Sequence, residues 1–337
     1  MTLNKLISIF AALVFLVSCS QEEVTSQHQY QGFVMGTSWH VSCVSDDTTA
    51  PQLDAVISKA LDEVDQAMST YKPDSEISRF SRSSNGISVS APSFYVISVA
   101  LDIAKQTNGA FDPTVMPLVN MWGFGPEANS QSAPTDAAIA SAMKICGWQH
   151  LQLSNDSFFV GKDIAELEID LSAIAKGFGA DSVASALDAS GVTDYMIEVG
   201  GEVRVRGNSG KQRPWRLAID SPNEKNYARI IELTNGAIAT SGDYRNMRIV
   251  DGELVSHTIN PNTGRPITHN LASVSIVAQN CTIADAMATA CMVLGADAGI
   301  ELIERTADVE AYFITRISES KFITSQSSGF PEDLNLD

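Results

Sequence analysis

The segment IDLSAIAKGFGAD, residues 169–181, combines an acid, a hydroxyl, a lysine and two glycines in one short stretch. Ser172 is a favourable N-cap residue and predicts a helix from Ala173 to Leu187. Because a glycine inside a helix costs about 1 kcal/mol relative to alanine, Gly177 and Gly179 indicate either a bound ligand or another element packed closely there. A phosphate-binding P-loop is excluded, because no glycine stands at the required spacing before a Gly-Lys-Ser/Thr triplet.

A second candidate for chemistry is the segment CTIADAMATACM, residues 281–292. Asp285 and Thr289 are four positions apart, so on a helix they project from the same face. Their neighbours are small or apolar, and two interpretations follow. The carboxylate is either a buried, hydrogen-bonded group or, with the hydroxyl, a ligand of a hard cation such as Mg²⁺, which completes its shell with phosphate and water.

Three further segments carry polar side chains at turns. In SHTINPNTGRP, His257 precedes a cluster of turn residues, where it is either structural or a general base. GAFDP, residues 109–113, is a comparable turn that contains an acid, and MGTSWHV, residues 35–41, is a small-residue loop leading into a strand.

The composition of the chain limits its partners. The 337 residues carry a formal charge of −18, and the basic residues form no cluster. Such a surface repels phosphate backbones, so we expect no nucleic-acid partner. With 44% hydrophobic residues, the chain is long enough to bury a large core.

The order of periodic segments predicts the fold. Helical periodicity over 51–71 and 90–108 alternates irregularly with strand-like segments, which favours an α+β fold with mixed sheets flanked by helices. No linker divides residues 30–327, so we predict one domain there. A flexible tether is expected over the polar residues 20–29, and a short tail over 328–337.

The N-terminus has the composition of an export signal over residues 1–19. Lys5 supplies the positive region, and the apolar run from Leu6 to Val17 is too short for a comfortable membrane span. The run ends in LVSC, which resembles a bacterial lipobox, so Cys19 is the predicted site of lipidation; the alternative is a plain signal peptide. Ser20, rather than Asp, favours the periplasmic leaflet of the outer membrane over the inner membrane.

Four cysteines remain beyond the signal: Cys43, Cys146, Cys281 and Cys291. No CxxC pair occurs, so the spacing supports neither a zinc ribbon nor a redox pair. We expect single buried thiols.

Eight motifs, taken in order, resemble the ApbE family, the FAD:protein FMN transferases. They are MGT (35–37), STYKPDSEISRFS, GAFDPTVMPLVNMWGF, IDLSAIAKGFGAD, EVGGEVRVRG, ATSGDYRN, SHTINPNTGRP and TIADAMATACMVLG. The resemblance covers essentially all of residues 30–300, and none of the motifs is visibly broken.

The resemblance implies a single ApbE-like domain with a T-fold-like core and a Mg²⁺-dependent reaction. In that reaction the FMN part of FAD moves to a Thr or Ser hydroxyl of a target protein, and AMP is released. The implied acceptors resemble membrane redox-pump subunits with a Ser/Thr-Gly-Ala-Ser/Thr-like motif. Three alternatives share much of this pattern: an exported FAD-binding protein, an FAD pyrophosphatase that yields FMN and AMP, and a solute-binding lipoprotein.

The same resemblance implies roles for individual residues. Asp285, Thr289 and the backbone carbonyl of Ala173 are the implied Mg²⁺ ligands. His257 is implied either to deprotonate the acceptor hydroxyl or to organise the phosphate. The implied contacts to FAD are Met35, Tyr71, Ala110, Phe111, Asp112, Asp170, Lys176 and Ile259.

Overall fold

A computed structural model of the protein describes residues 25–126, 132–222, 226–243, 247–318 and 320–334. The predicted signal segment and Cys19 lie outside the described residues. Within the described part of the chain, no helix is both long and apolar enough to cross a bilayer.

Helices and strands alternate irregularly along the chain. The helices are α1 (Ala50–Met68), α2 (Glu76–Arg82), α3 (Ala91–Gln106), α4 (Met116–Met121), α5 (Asp136–Ala142), α6 (Ala175–Ala189), α7 (Cys281–Leu294) and α8 (Ala296–Glu304). The strands are β1 (Thr25–Val34), β2 (Thr37–Asp46), β3 (Gly86–Ser88), β4 (Leu151–Ser154), β5 (Phe159–Lys162), β6 (Asp194–Val199), β7 (Glu202–Arg206), β8 (Trp215–Asp220), β9 (Tyr227–Leu233), β10 (Asn235–Gly242), β11 (Met247–Val250), β12 (Glu253–Ser256), β13 (Ile259–Asn260), β14 (Arg265–Pro266), β15 (Leu271–Ala278), β16 (Val309–Ser318) and β17 (Lys321–Gln326).

One eight-stranded sheet organises the molecule, in the order β1-β2-β6-β7-β10-β15-β16-β17, with every neighbouring pair antiparallel. Helices α1, α6 and α7 pack on one face of this sheet and enclose the main core. The β8–β9 hairpin covers part of the other face, where Trp215 and Leu217 pack against Val205 and Ile238. The predicted α+β class is confirmed.

Helix α7 is buried on nearly all sides, and this explains its composition. Its alanines pack between the sheet and α6, where larger side chains would separate the layers. The helix ends at Gly295, whose φ of 79° places it in the left-handed region that favours glycine, and α8 begins at the next residue.

The predicted start of α6 differs from the structure. Thr135 caps α5 through its side chain. Ser172, in contrast, does not cap α6, which begins only at Ala175. Its backbone N–H and its hydroxyl both donate to Asp170, at 2.8 and 2.5 Å, so the side chain is already used in a tight turn before the helix.

The ends of the domain extend beyond the predicted boundaries. Strand β1 begins at Thr25 and pairs with β2 along its whole length, so residues 25–29 of the predicted tether belong to the sheet. An edge strand exposed to water has a polar composition that resembles a linker. The predicted tail also packs on the domain: Phe330 is buried, and the backbone N–H of Leu334 donates to the carbonyl of Ile230 at 2.8 Å.

The four described cysteines are unpaired thiols. Cys43, Cys281 and Cys291 are buried, and Cys146 is partly buried. Burial raises the pKa of the Cys43 thiol to about 11 and that of Cys291 to about 12, so both stay protonated at neutral pH. Their role is packing, as expected from the sequence.

Candidate active site

A cavity of about 740 Å³ lies where the start of α6, the middle of α7, the end of β10 and the β11–β12 hairpin meet. These elements are far apart in the sequence, and the eight-stranded sheet brings them together. The cavity wall includes eight of the residues predicted to form the site: Tyr71, Asp170, Ala173, Lys176, His257, Ile259, Asp285 and Thr289.

Helices α6 and α7 approach each other closely at Gly177. A Cβ atom at this position would lie 2.2 Å from the carbonyl oxygen of Cys281 and 2.8 Å from Cβ of Asp285. The backbone N–H of Gly177 donates to Oδ2 of Asp285 at 2.9 Å. Of the two interpretations left open by the sequence, the structure shows close packing, since the small size of Gly177 permits the approach that places Asp285 at the cavity.

Lys176, Glu202 and Asp285 form a charged cluster at the cavity wall. The lysine Nζ lies 3.4 Å from Oε1 of Glu202 and 3.7 Å from Oδ1 of Asp285. Both carboxyl side chains are buried, with exposures of 4% and 3% for Glu202 and Asp285. Two buried acids thus face one cation, so ionisation of both acids at once is unfavourable unless a further positive group is present.

The pKa shifts in this cluster follow from burial and from the neighbouring charges. Burial raises the pKa of the Glu202 carboxyl to about 8, while Lys176 opposes this rise. Burial alone would lower the pKa of Lys176, but Asp285 and Glu202 together raise it above its ordinary value. The lysine is therefore a permanent cation at neutral pH.

Oxygen atoms dominate the part of the wall nearest Asp285. Thr289 lies one turn further along α7, and its hydroxyl is 3.5 Å from that of Ser241 at the end of β10. Oε2 of Glu202 is buried and has no hydrogen-bond partner within the described structure. No group of three or more His, Cys, Asp or Glu side chains suited to a metal occurs among the described residues, so a cation here would also need hydroxyl or carbonyl oxygens.

Aromatic side chains and a histidine lie around another part of the cavity. Tyr71 is 70% exposed although it contributes to the wall. The ring of His257 meets that of Phe124 edge-on, with 6.3 Å between centroids. The guanidinium carbon of Arg248 lies 5.9 Å from the centroid of the Phe124 ring. Arg248 also donates a hydrogen bond to the carbonyl of Gly123.

Four of the residues predicted to contact FAD are absent from the cavity wall: Met35, Ala110, Phe111 and Asp112. Ala110 and Phe111 are buried. Asp112 accepts hydrogen bonds from the backbone N–H and hydroxyl of Thr114, at 2.8 and 2.6 Å, and from the N–H of Trp148 at 3.1 Å. Its carboxylate stabilises the turn between α3 and α4, because the N–H groups of that turn need acceptors.

Met35 also has a packing role in the structure. It lies in the β1–β2 turn with a φ of 49°, and its Cε would be 3.0 Å from a Cβ atom placed at Gly179. The side chain of Met35 therefore packs against α6, the helix that carries Lys176.

Several residues of the wall were not assigned a role from the sequence. Glu202 is the most important of these. Its only signal in the sequence is the pair of glycines directly before it, Gly200 and Gly201. Both glycines have positive φ, and a Cβ atom at Gly200 would lie 3.1 Å from Cδ of Lys176. The tight β6–β7 turn thus lets the lysine reach Glu202. Thr70, Phe124 and Ser241 also lie in the wall, inside ordered motifs but without an assigned role, and Asp220 and Arg248 lie in the wall outside those motifs.

Comparison with known proteins identifies the group to which this chain belongs. The model of the ApbE family matches residues 35–313. A protein from Vibrio cholerae named FAD:protein FMN transferase is 41% identical over 300 residues, which cover 87% of this chain and 89% of the relative. The Escherichia coli K12 protein of the same name is 37% identical over 327 residues, with 93% of each chain covered.

A solved structure supports the same assignment. The flavin transferase ApbE from Vibrio cholerae superposes with a TM-score of 0.82 at 38% identity, covering 91% of this chain and 99% of that one. The protein belongs to the ApbE family.

Proposed function

We propose that this protein is an FAD:protein FMN transferase. The observation that carries the proposal is the cavity in which Lys176, the buried acids Glu202 and Asp285, and Thr289 lie near an exposed tyrosine and a histidine. A cavity of about 740 Å³ has the size of known sites for cofactors. The relatives described above, which carry this activity in their names, support it independently.

The proposed reaction exchanges the phosphoanhydride bond of FAD for a phosphate ester to the acceptor protein. A Ser or Thr hydroxyl of the acceptor protein attacks the phosphorus atom on the FMN side of the pyrophosphate. A new P–O bond forms to the acceptor, the P–O bond to the AMP half breaks, and AMP leaves with the bridging oxygen. The hydroxyl proton passes to His257, which we assign as the general base.

The charged cluster by itself does not offset the negative charge of the pyrophosphate, because its single cation faces two acids. Lys176 supplies one positive charge close to the cavity, and it is already shared by two acids. Asp285, the Thr289 hydroxyl and the Ala173 carbonyl fit the oxygen chemistry of Mg²⁺, and the buried Oε2 of Glu202 adds an acceptor without a partner. Mg²⁺ held there would stabilise the charge that develops on the phosphoryl oxygens.

Tyr71 and Ile259 are the proposed flavin contacts, with Asp170 on the nucleotide side. An aromatic ring that stays 70% exposed beside a cavity is available to pack against a planar ring system.

We expect Tyr71→Ala to weaken FAD binding about tenfold, as the loss of one aromatic contact does, and to leave AMP binding nearly unchanged. Titration of both ligands by calorimetry checks this. An equal loss for FAD and AMP would place Tyr71 away from the flavin.

An acceptor-labelling assay tests the function itself. The protein is incubated with FAD, Mg²⁺ and a soluble domain of a membrane redox-pump subunit that carries a Ser/Thr-Gly-Ala-Ser/Thr-like segment. Covalent flavin fluorescence on the acceptor in a denaturing gel, with stoichiometric AMP, is the expected result. FMN and AMP released without labelling would identify a pyrophosphatase, and bound but unchanged FAD would identify a binding protein.

We further propose that the enzyme is lipid-anchored at the periplasmic face of a bacterial membrane, with the outer membrane favoured. The support is the LVSC segment at Cys19, since a lipid chain contributes about 0.8 kcal/mol of membrane binding per buried methylene. Cys19→Ser should yield unprocessed or soluble protein on fractionation of expressing cells. A processed form of this variant that remains wholly with the membranes would contradict the anchor.

A further inference from the structure

The β11–β12 hairpin presents an exposed apolar pair beside the cavity. Ile249 and Leu254 are 74% and 62% exposed and are direct cross-strand partners. Apolar residues scattered singly on a surface need no explanation. An apolar pair held in register next to the cavity differs from such scattered residues, because adjacent exposed apolar side chains mark surfaces that bind a partner.

The face that carries this pair continues into the cavity. Side chains alternate between the two faces of a strand, so Met247 and Ser256 share the face of Ile249 and Leu254. Met247 lines the cavity. One continuous strip therefore runs from the cavity wall to the exposed pair, a step of two residues or about 7 Å.

Contacts at its turn and at Arg248 hold the β11–β12 hairpin in place. Asp251 and Gly252 form its tight turn with positive φ values of 51° and 86°. Oδ2 of Asp251 accepts a hydrogen bond from the N–H of Ala133 at 3.0 Å, and Arg248 donates to the carbonyl of Gly123. Within the described chain, β11 and β12 pair only with each other, so the strip has no strand partner of its own.

We propose that Ile249 and Leu254 dock the acceptor protein, through apolar side chains that flank its reacting Ser or Thr. This inference rests on the proposed function, which requires a protein to bring a hydroxyl to the cavity that Met247 lines. FAD needs the enclosed space, whereas the acceptor must approach from outside and cross the rim. A protein segment with its hydroxyl in the cavity is thus the occupant that the continuous strip fits.

The test compares two matched double variants. Ile249→Ser/Leu254→Ser removes the apolar pair, and Ile317→Ser/Ile323→Ser removes two apolar side chains of similar exposure, 52% and 53%, from β16 and β17. For the first variant we expect the KM for the redox-pump acceptor domain to rise about tenfold or more, as for truncated interface anchors. The Kd for FAD, the melting temperature and the oligomeric state should stay unchanged, and the control variant should match the wild type in all measurements.

A photocrosslink gives a second measurement that does not depend on turnover. Benzoylphenylalanine at position 254 should crosslink to the acceptor domain, and at position 323 it should not. If the wild type labels the acceptor but the first variant has an unchanged KM for it, the docking surface is wrong and the proposed function stands. A change in the oligomeric state of the first variant would assign the strip to a second copy of this chain. Loss of vesicle binding by the first variant, with a normal KM for the acceptor, would assign the strip to a membrane. No labelling by the wild type would instead overturn the proposed function.

Discussion

Asp285→Asn should reduce FMN transfer by roughly two orders of magnitude or more, because a metal ion that neutralises phosphoryl charge contributes several kcal/mol to the transition state. The amide keeps an oxygen that can still accept the hydrogen bond from the N–H of Gly177, so the contact between α6 and α7 is retained. The negative charge that would hold the cation is lost. Transfer measured against Mg²⁺ concentration should show a higher requirement for the metal, together with a small change in melting temperature.

Asp181→Asn is the matched control for this variant. Asp181 also joins α6 to α7, where it accepts hydrogen bonds from the N–H groups of Cys281 and Thr282, at 3.0 and 2.8 Å, but it lies outside the cavity wall. Its replacement should lower stability by about 1 kcal/mol, as for the loss of a helix cap, and leave the Mg²⁺ requirement unchanged. If Asp285→Asn behaves in the same way, its carboxylate is a structural group and the metal assignment is wrong.

Gly177→Ala should lower the free energy of unfolding by about 3 kcal/mol, the upper range for overpacking a core. The added methyl group would meet backbone atoms of Cys281, which cannot rotate away as a side chain can. Separation of α6 from α7 would also move Asp285 from its position beside Lys176. We therefore expect reduced transfer in addition to reduced stability, measured by denaturant unfolding and the labelling assay.

Gly179→Ala provides the comparison within the same helix. A Cβ atom at Gly179 would meet only Cε of Met35 at 3.0 Å and Cδ2 of Leu61 at 3.4 Å, the mobile ends of two side chains. The gain of about 1 kcal/mol in helix propensity should offset this contact and leave stability near that of the wild type. Equal destabilisation by the two variants would show that the close approach of α7 is not what makes glycine necessary at position 177.

The helical part of the site was predictable from the sequence because its signals are local. The i, i+4 spacing of Asp285 and Thr289 and the small residues around them specify a helix face with two oxygens. The glycines of α6 indicated a close approach, which the structure locates at Cys281 and Asp285. The ordered motifs indicated the family without any coordinates, since they extend over most of the chain.

The remaining features depend on contacts between segments that are distant in the sequence. Glu202 belongs to the motif EVGGEVRVRG, but the motif assigns it no role, and only the pairing of β6 with β7 beside α6 buries it against Lys176. Asp112 has the composition of a ligand-binding turn, yet the N–H groups of Thr114 and Trp148 occupy its carboxylate.

The sequence by itself thus determined the fold class, the family and the oxygen pair on α7, because periodicity and motif order are properties of neighbouring residues. Only the tertiary structure decided which charges meet, which polar groups satisfy the backbone and which apolar residues stay exposed beside the cavity. The physical reason is that burial and charge pairing are set by the three-dimensional environment of a side chain. For Glu202 and Ile249, that environment is supplied almost entirely by other parts of the chain.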